Sequence, residues 1–162
     1  MSTTLERPSS ALVNVASEVL GTLQVPRQEL IEFPAGVFGF PAARTWSLLP
    51  TLRESVFWLQ STEYSALAFV LVNPFVFFPG EYQIDLTPFE LSRLGAPLAQ
   101  DLLILAIVTM PSHSGESCTA NLHAPVVFNL RDRQAWQTIR SDDGFSVRAP
   151  FDIDRPVSAA AQ

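Results

Sequence analysis

Short apolar or alternating runs recur along the chain, broken by Pro, Gly, Asn and Asp about every ten residues. This spacing predicts an antiparallel β sandwich or barrel. Strands are expected at 18–25 (EVLGTLQV), 29–33 (ELIEF), 46–50 (WSLLP), 56–61 (VFWLQS) and 66–72 (ALAFVLV). Further strands are expected at 81–86 (EYQIDL), 102–110 (LLILAIVTM), 124–130 (APVVFNL), 137–140 (QTIR) and 145–149 (FSVRA). In EYQIDL, Tyr82, Ile84 and Leu86 fall on one face and Glu81, Gln83 and Asp85 on the other, the pattern of a half-buried strand. ALAFVLV is apolar on both faces, so it is buried on both sides or sits at a sheet face that something else covers.

One helix is signalled at about 87–95. Thr87-Pro88-Phe89-Glu90 has the form of a capping box with proline at the first helical position, Leu91 and Leu94 share a face with Phe89 nearby, and Gly95 can end the helix in a left-handed conformation. A helix of two turns does not stand alone in water, so it must pack on the sheet as a plug or lid. The expected fold is therefore mainly β, an antiparallel barrel-like domain with one short helix.

Length and composition set the scale. A chain of 162 residues, 48% of them apolar, suits one domain with a sizeable core. Residues 1–17 read as a flexible polar leader without the basic start and apolar run of a secretory signal, 18–153 as the domain, and 154–162 as a flexible tail. The two most apolar stretches, ALAFVLV and LLILAIV, are far short of the roughly 20 residues of a membrane-crossing helix. The single cysteine, Cys118, excludes a disulfide within the chain. No membrane partner, a cytoplasmic location and a monomer when free are expected.

Charge narrows the partners. The net charge is −6, all ten basic residues are arginines spread from Arg7 to Arg155, and lysine is absent. Phosphate neutralisation is poorly served by such a surface, so no direct nucleic-acid binding is expected, and a basic protein suits it better. The same charge also serves simply to keep the domain soluble.

Candidate chemistry is sparse. His113, Cys118 and His123, with an acid such as Asp132, can be written as a thiol nucleophile and its base, the alternative being a surface histidine and a small buried thiol. Their spacing matches no standard zinc signature. No glycine-rich phosphate loop is present; PAGVFGF reads as a tight turn carrying Phe38 and Phe40, and Asp142-Asp143 before Gly144 reads as turn chemistry. No catalytic residue, metal or cofactor is expected.

Four segments carry a family resemblance: EFPAGVFGF (32–40), FWLQSTEYSALAFVLVNPFVFFPGEYQIDL (57–86), DLLILAIVTM (101–110) and CTANLHAPVVFN (118–129). Together, over roughly residues 18–153, they resemble the flagellar assembly factor FliW family. TANLHAPVVFN looks like that family's Thr-Ala-Asn-Leu-x-Ala-Pro segment, and SVRAPF is similar to its closing Arg-x-Pro. Phe38 stands where the family's Gly-x-Pro-Gly-Phe turn has proline, which predicts a turn that opens differently and exposes another ring. The resemblance implies a non-enzymatic, barrel-like protein that binds flagellin in the cytoplasm and, when flagellin is scarce, binds the translational regulator CsrA and relieves its repression of flagellin synthesis. A flagellin chaperone without the CsrA contact and a small cysteine-dependent β-barrel enzyme are the alternatives.

The partner-binding candidates are Phe38, Asn73, Phe75, Phe78, Glu81 and Asp85, chosen from their chemistry rather than transferred from the family. Pro74 forces a turn or an edge after ALAFVLV, and an edge ending in aromatics is a docking place for a helix or an added strand. One or two of Phe75, Phe77 and Phe78 are expected to point outward, with Glu81 and Asp85 as a charged rim. Strand alternation would place Phe77 and Phe78 on opposite faces.

Overall fold

The computed structural model describes residues 11–140 and 144–155. The chain runs through β1 (Leu12–Ser17), β2 (Gly21–Pro26), β3 (Leu30–Glu32), β4 (Thr45–Pro50), β5 (Val56–Ser61) and β6 (Ala68–Val72). Two short helices follow, α1 (Pro74–Phe77) and α2 (Pro88–Arg93). The remaining strands are β7 (Leu102–Thr109), β8 (Cys118–Ala120), β9 (Val126–Asn129), β10 (Gln134–Gln137) and β11 (Ala149–Phe151). The expectations over residues 1–10, Asp142-Asp143 and 156–162 lie outside the described residues.

β4, β5, β6 and β7 form an antiparallel meander, β3 pairs with β4, and β9 pairs with both β10 and β7, so the sheet closes on itself. The result is a seven-stranded barrel, and the expected mainly β, barrel-like class holds. One seam departs from the antiparallel expectation: β3 and β10 run parallel and meet at a single residue pair, Glu32 opposite Gln134. The Glu32 N–H donates to the Arg133 carbonyl at 2.9 Å, and the Arg133 guanidinium donates to the Glu29 carbonyl across the same seam.

β7 is long enough to serve two partners along one edge. Leu102–Leu105 pair with β9, while Val108 and Thr109 pair with β8, which carries β11 outside the barrel. The two faces of β5–β7 therefore enter two different cores. Phe57, Leu59, Phe69, Leu71, Leu103 and Leu105 join the barrel interior with Phe33, Trp46 and Phe128. Val56, Val72, Ala106 and Val108 join a second core outside the barrel, closed by Phe77, Phe78, Tyr82 and Ala149. This second layer is the cover that the two-faced apolar character of ALAFVLV requires.

α1 is an unexpected element, and it corrects the reading of 73–86. Asn73 caps it by accepting the Phe75 N–H at 2.9 Å, with Pro74 at a position that needs no N–H donor. Helical rather than extended backbone brings Phe77 and Phe78 into the same core, where both stack on Phe151 at 5.2 and 5.6 Å between centroids. Glu81–Leu86 keeps its alternation, with Tyr82 inward and Glu81, Gln83 and Asp85 outward, but it pairs with no strand among the described residues. Side-chain packing fixes it instead: Tyr82 stacks on Phe145 at 4.7 Å and donates its hydroxyl to the Leu122 carbonyl at 3.2 Å.

Other boundaries shift. Residues 12–17, expected in the leader, form β1 and pair with β2 along its whole length. The strand expected at 137–140 lies at 134–137, because Asn129 Oδ1 accepts the N–H groups of Arg131 and Asp132 and fixes a hairpin turn with Gln134 opposite Asn129. The strand expected at 145–149 begins only at Ala149.

Phe77→Ala empties a ring-sized volume in the second core and is expected to cost about 3–5 kcal/mol. That corresponds to a fall in Tm on the order of 10 °C in scanning calorimetry. Phe75→Ala, on the exposed side of the same helix, should leave Tm within about 2 °C. Equal losses at both positions would contradict the assignment of the two rings to different environments.

Candidate functional site

Gly36 sets the geometry of the turn at 36–41. Its φ is +70°, and a Cβ there would lie 2.7 Å from the Phe40 carbonyl oxygen and from Pro41 Cα, so only glycine fits. The Phe40 N–H then closes on the Val37 carbonyl at 2.7 Å, with Gly39 at φ +91°. Phe38 occupies the corner between them and projects outward, 50% exposed. The bond from Phe40 to Val37 closes the turn, and the Phe38 ring is exposed as expected. The Phe38 N–H, a group that proline lacks, donates to Gln137 Oε1 at 2.9 Å, and Gln137 Nε2 donates to the Ala124 carbonyl at 3.0 Å.

α2 is fixed by its capping box and by two ties to the barrel. Glu90 Oε1 accepts the Thr87 N–H at 2.9 Å, and Thr87 Oγ1 accepts the Glu90 N–H at 3.1 Å. Both Glu90 oxygens also accept from Arg140, at 3.0 and 3.1 Å, in an ion pair whose side chains are only 16% and 10% exposed. Arg140 donates further to the Asp85 carbonyl at 2.6 Å. At the other end, the fully buried Asn129 donates to the Leu94 carbonyl at 2.6 Å, and Arg131 donates to the Gly95 carbonyl at 2.9 Å. Hydrogen bonding to Arg131 holds the Asp132 carboxyl below its ordinary pKa.

Between this helix, the end of β10 and the 36–41 turn lies a groove of about 410 Å³. Three large apolar side chains stand in it among polar neighbours: Phe89 is 68% exposed, Ile139 is 55% exposed, and Phe38 lines it with them, beside Thr87, Glu90, Gln137 and Thr138. Arg93 runs along one side with its guanidinium carbon 4.0 Å from the Trp136 ring centroid and 5.6 Å from that of Phe89. On the far side of the same turn, Phe40 and Tyr64 line a second, almost wholly apolar groove of about 540 Å³. Large apolar side chains are thus gathered on both sides of one turn, an exposed apolar surface of the kind that marks interaction sites.

The partner-binding candidates separate into groups. Phe38 stands in the groove. Asp85 is exposed and reaches the groove's scaffold through its main chain, by way of Arg140 and Glu90. Asn73 is the cap of α1, Phe75 is partly exposed with its ring 5.4 Å from Tyr82, and Glu81 is exposed. Phe78 is a correction: it is buried in the second core, because the helical turn of α1 carries it inward. Sequence reasoning missed Phe89, Arg93, Thr138 and Ile139. Helical spacing was a usable signal for the first two, since Phe89 and Arg93 are four residues apart on one exposed face; Phe89 therefore lies opposite Leu91 and Leu94, which corrects its expected place beside them.

The thiol reading finds an unsuitable environment. Cys118 is buried, with its sulfur 3.9 Å from that of Met110. Burial, and after it the carboxylates of Asp154 and Asp152, push its pKa up, the reverse of what a thiolate nucleophile needs. Among the described residues no group of three or more His, Cys, Asp or Glu side chains is placed to hold a metal ion, and no helix is long and apolar enough to cross a membrane. Asn121 satisfies the His-Ala-Pro turn by accepting the N–H groups of His123 and Ala124.

The family model described as FliW protein matches residues 14–151. The flagellar assembly factor FliW of Treponema denticola is 30% identical over 150 residues, covering 93% of this chain and 99% of that relative. Its counterpart in Symbiobacterium thermophilum is 40% identical over 124 residues, covering 75% and 88%. A crystal structure of the flagellar assembly factor FliW aligns with a TM-score of 0.77 at 30% identity, over 85% of this chain and 96% of that one.

Arg140→Met leaves Glu90 without its buried cation and is expected to cost about 3 kcal/mol, read as a Tm lower by roughly 6–12 °C. An unchanged Tm would mean that the ion pair does not hold α2. Iodoacetamide at neutral pH should modify Cys118 at least about tenfold more slowly in the native chain than in urea. Equal rates would show an accessible, activated thiol.

Proposed function

The chain belongs to the FliW family, and on that premise we propose that it acts as a flagellar assembly factor, binding flagellin in the cytoplasm and antagonising the translational regulator CsrA. The observation that supports this reading is the exposed apolar surface on either side of the 36–41 turn, held on elements that are themselves fixed. Full burial of one large apolar side chain contributes roughly 1.5–3 kcal/mol. A rim ion pair contributes only about 0–1 kcal/mol. Affinity therefore comes from Phe38, Phe89 and Ile139, and the charges around them select the partner and set the encounter rate.

Two partners on one small domain work by exchange. Flagellin in excess occupies the protein, and its depletion by export frees the protein for the regulator. The net charge of −6 favours approach to a basic RNA-binding protein at low ionic strength. A chaperone that binds flagellin alone is the second reading, supported by the fact that the apolar grooves need no acidic surface to function.

Calorimetric titration of the purified chain with flagellin and then with CsrA from the same organism, at low and moderate salt, separates these readings. Binding to both, with flagellin weakening the regulator complex and salt weakening it further, is the expected outcome. Binding to flagellin alone leaves the chaperone reading, and binding to neither removes both.

A further inference from the structure

Arg93 is held by aromatic rings instead of by a carboxylate. Its guanidinium lies against Trp136 and Phe89, and among the described residues it makes no hydrogen bond or ion pair. The neighbouring Glu90 does not neutralise it, because both Glu90 oxygens already accept from Arg140 and one of them also accepts from the Thr87 N–H. Contact with rings covers the faces of a guanidinium and leaves its in-plane N–H groups free, the arrangement that meets a carboxylate through two parallel bonds.

We infer that this groove is a receptor for a protein segment carrying a large apolar side chain beside an Asp or Glu. The apolar group enters between Phe38, Phe89 and Ile139, and the carboxylate pairs with Arg93. The inference rests on the flagellin-docking reading and specifies what the docked segment must present. Charge complementarity supports this occupant. On a chain of net charge −6, Arg93 is a local reversal of sign beside the exposed rings of Phe38 and Phe89. An acidic segment is repelled elsewhere on such a surface and held only in the register that brings its carboxylate to Arg93, which makes the residue a selector of partner sequence. Single-stranded nucleic acid also stacks on aromatic rings, but it needs a basic track along its backbone, and Arg93 is the sole cation lining this groove among the described residues. Phe38 belongs to the same selector, since its ring forms a wall where the family's turn carries proline.

The test is calorimetric titration of the full chain with monomeric flagellin from the same organism at two salt concentrations, using Arg93→Gln, Arg93→Lys and Phe89→Ser. Arg93→Gln and Phe89→Ser should each weaken binding about tenfold or more, with Tm unchanged, and Arg93→Gln should remove most of the salt dependence. Arg93→Lys should fall between, because a point charge replaces a planar fork. One Asp or Glu of flagellin, changed to its amide, should weaken binding by the same factor and add nothing on top of Arg93→Gln. Wild-type binding with unchanged affinity in Arg93→Gln overturns the receptor while leaving flagellin docking in place, and no wild-type binding overturns both. If Arg93→Gln melts early, unchanged affinity in Arg93→Lys overturns the receptor instead. Binding of a fluorescein-labelled single-stranded RNA that is lost in Arg93→Gln, or self-association that is lost in Phe89→Ser, also overturns it.

Discussion

The divided edge of β7 is the constraint on which the rest of the molecule depends. Its first half pairs with β9 and closes the barrel, and its last residues pair with β8 and start a layer outside it. One strand thus has apolar demands on both faces, met inward by rings such as Phe128 and outward by α1, Tyr82 and β11. Period-two alternation alone would supply a single buried face. The outer core exists because β5, β6 and β7 have a second apolar face that would otherwise meet water.

The apolar surface around the 36–41 turn is held by polar groups that are themselves spent on structure. Glu90 is engaged by the helix start and by Arg140, Asn129 by the helix end and the hairpin turn, and Gln137 by the 36–41 turn and the Ala124 carbonyl. These bonds leave α2, a helix of six residues, no freedom to drift on the barrel wall. The apolar side chains outside that network are consequently carried on a backbone that is fixed at both ends of the helix.

Much of this was legible in the sequence, and the failures have identifiable causes. β5 was read to the residue, and β4, β6 and β7 to within two, because each carries a long apolar run bounded by turn residues. α2 was readable from its cap, since Thr87, Pro88 and Glu90 specify a helix start by local hydrogen bonding. α1 was hidden because three phenylalanines between two prolines suit a strand as well as a helix, and only the Asn73 cap decides between them. Glu81–Leu86 alternates like a strand although it has no strand partner; burial of Tyr82 and Ile84 against a second core produces the same periodicity as pairing does. β10 was displaced by the Asn129 turn, a constraint that acts from the preceding strand. The groove itself was only half legible: Phe38 could be found from its turn, but Thr138 and Ile139 reach it through tertiary packing that no local pattern reports.

The parallel contact between β3 and β10 has a temporal meaning. Every other seam of the barrel joins strands by antiparallel pairing, and most of these join strands that follow closely along the chain, whereas this one joins Glu32 to Gln134 across about a hundred residues. On a ribosome, the meander from β3 to β7 can assemble as it emerges, yet its first edge must wait, with unpaired amides, until β10 has been synthesised. Pairings so distant along the chain form late. Until then the chain is an open sheet, and the contact that makes it a cylinder is, of all the barrel's seams, the one that spans the most sequence.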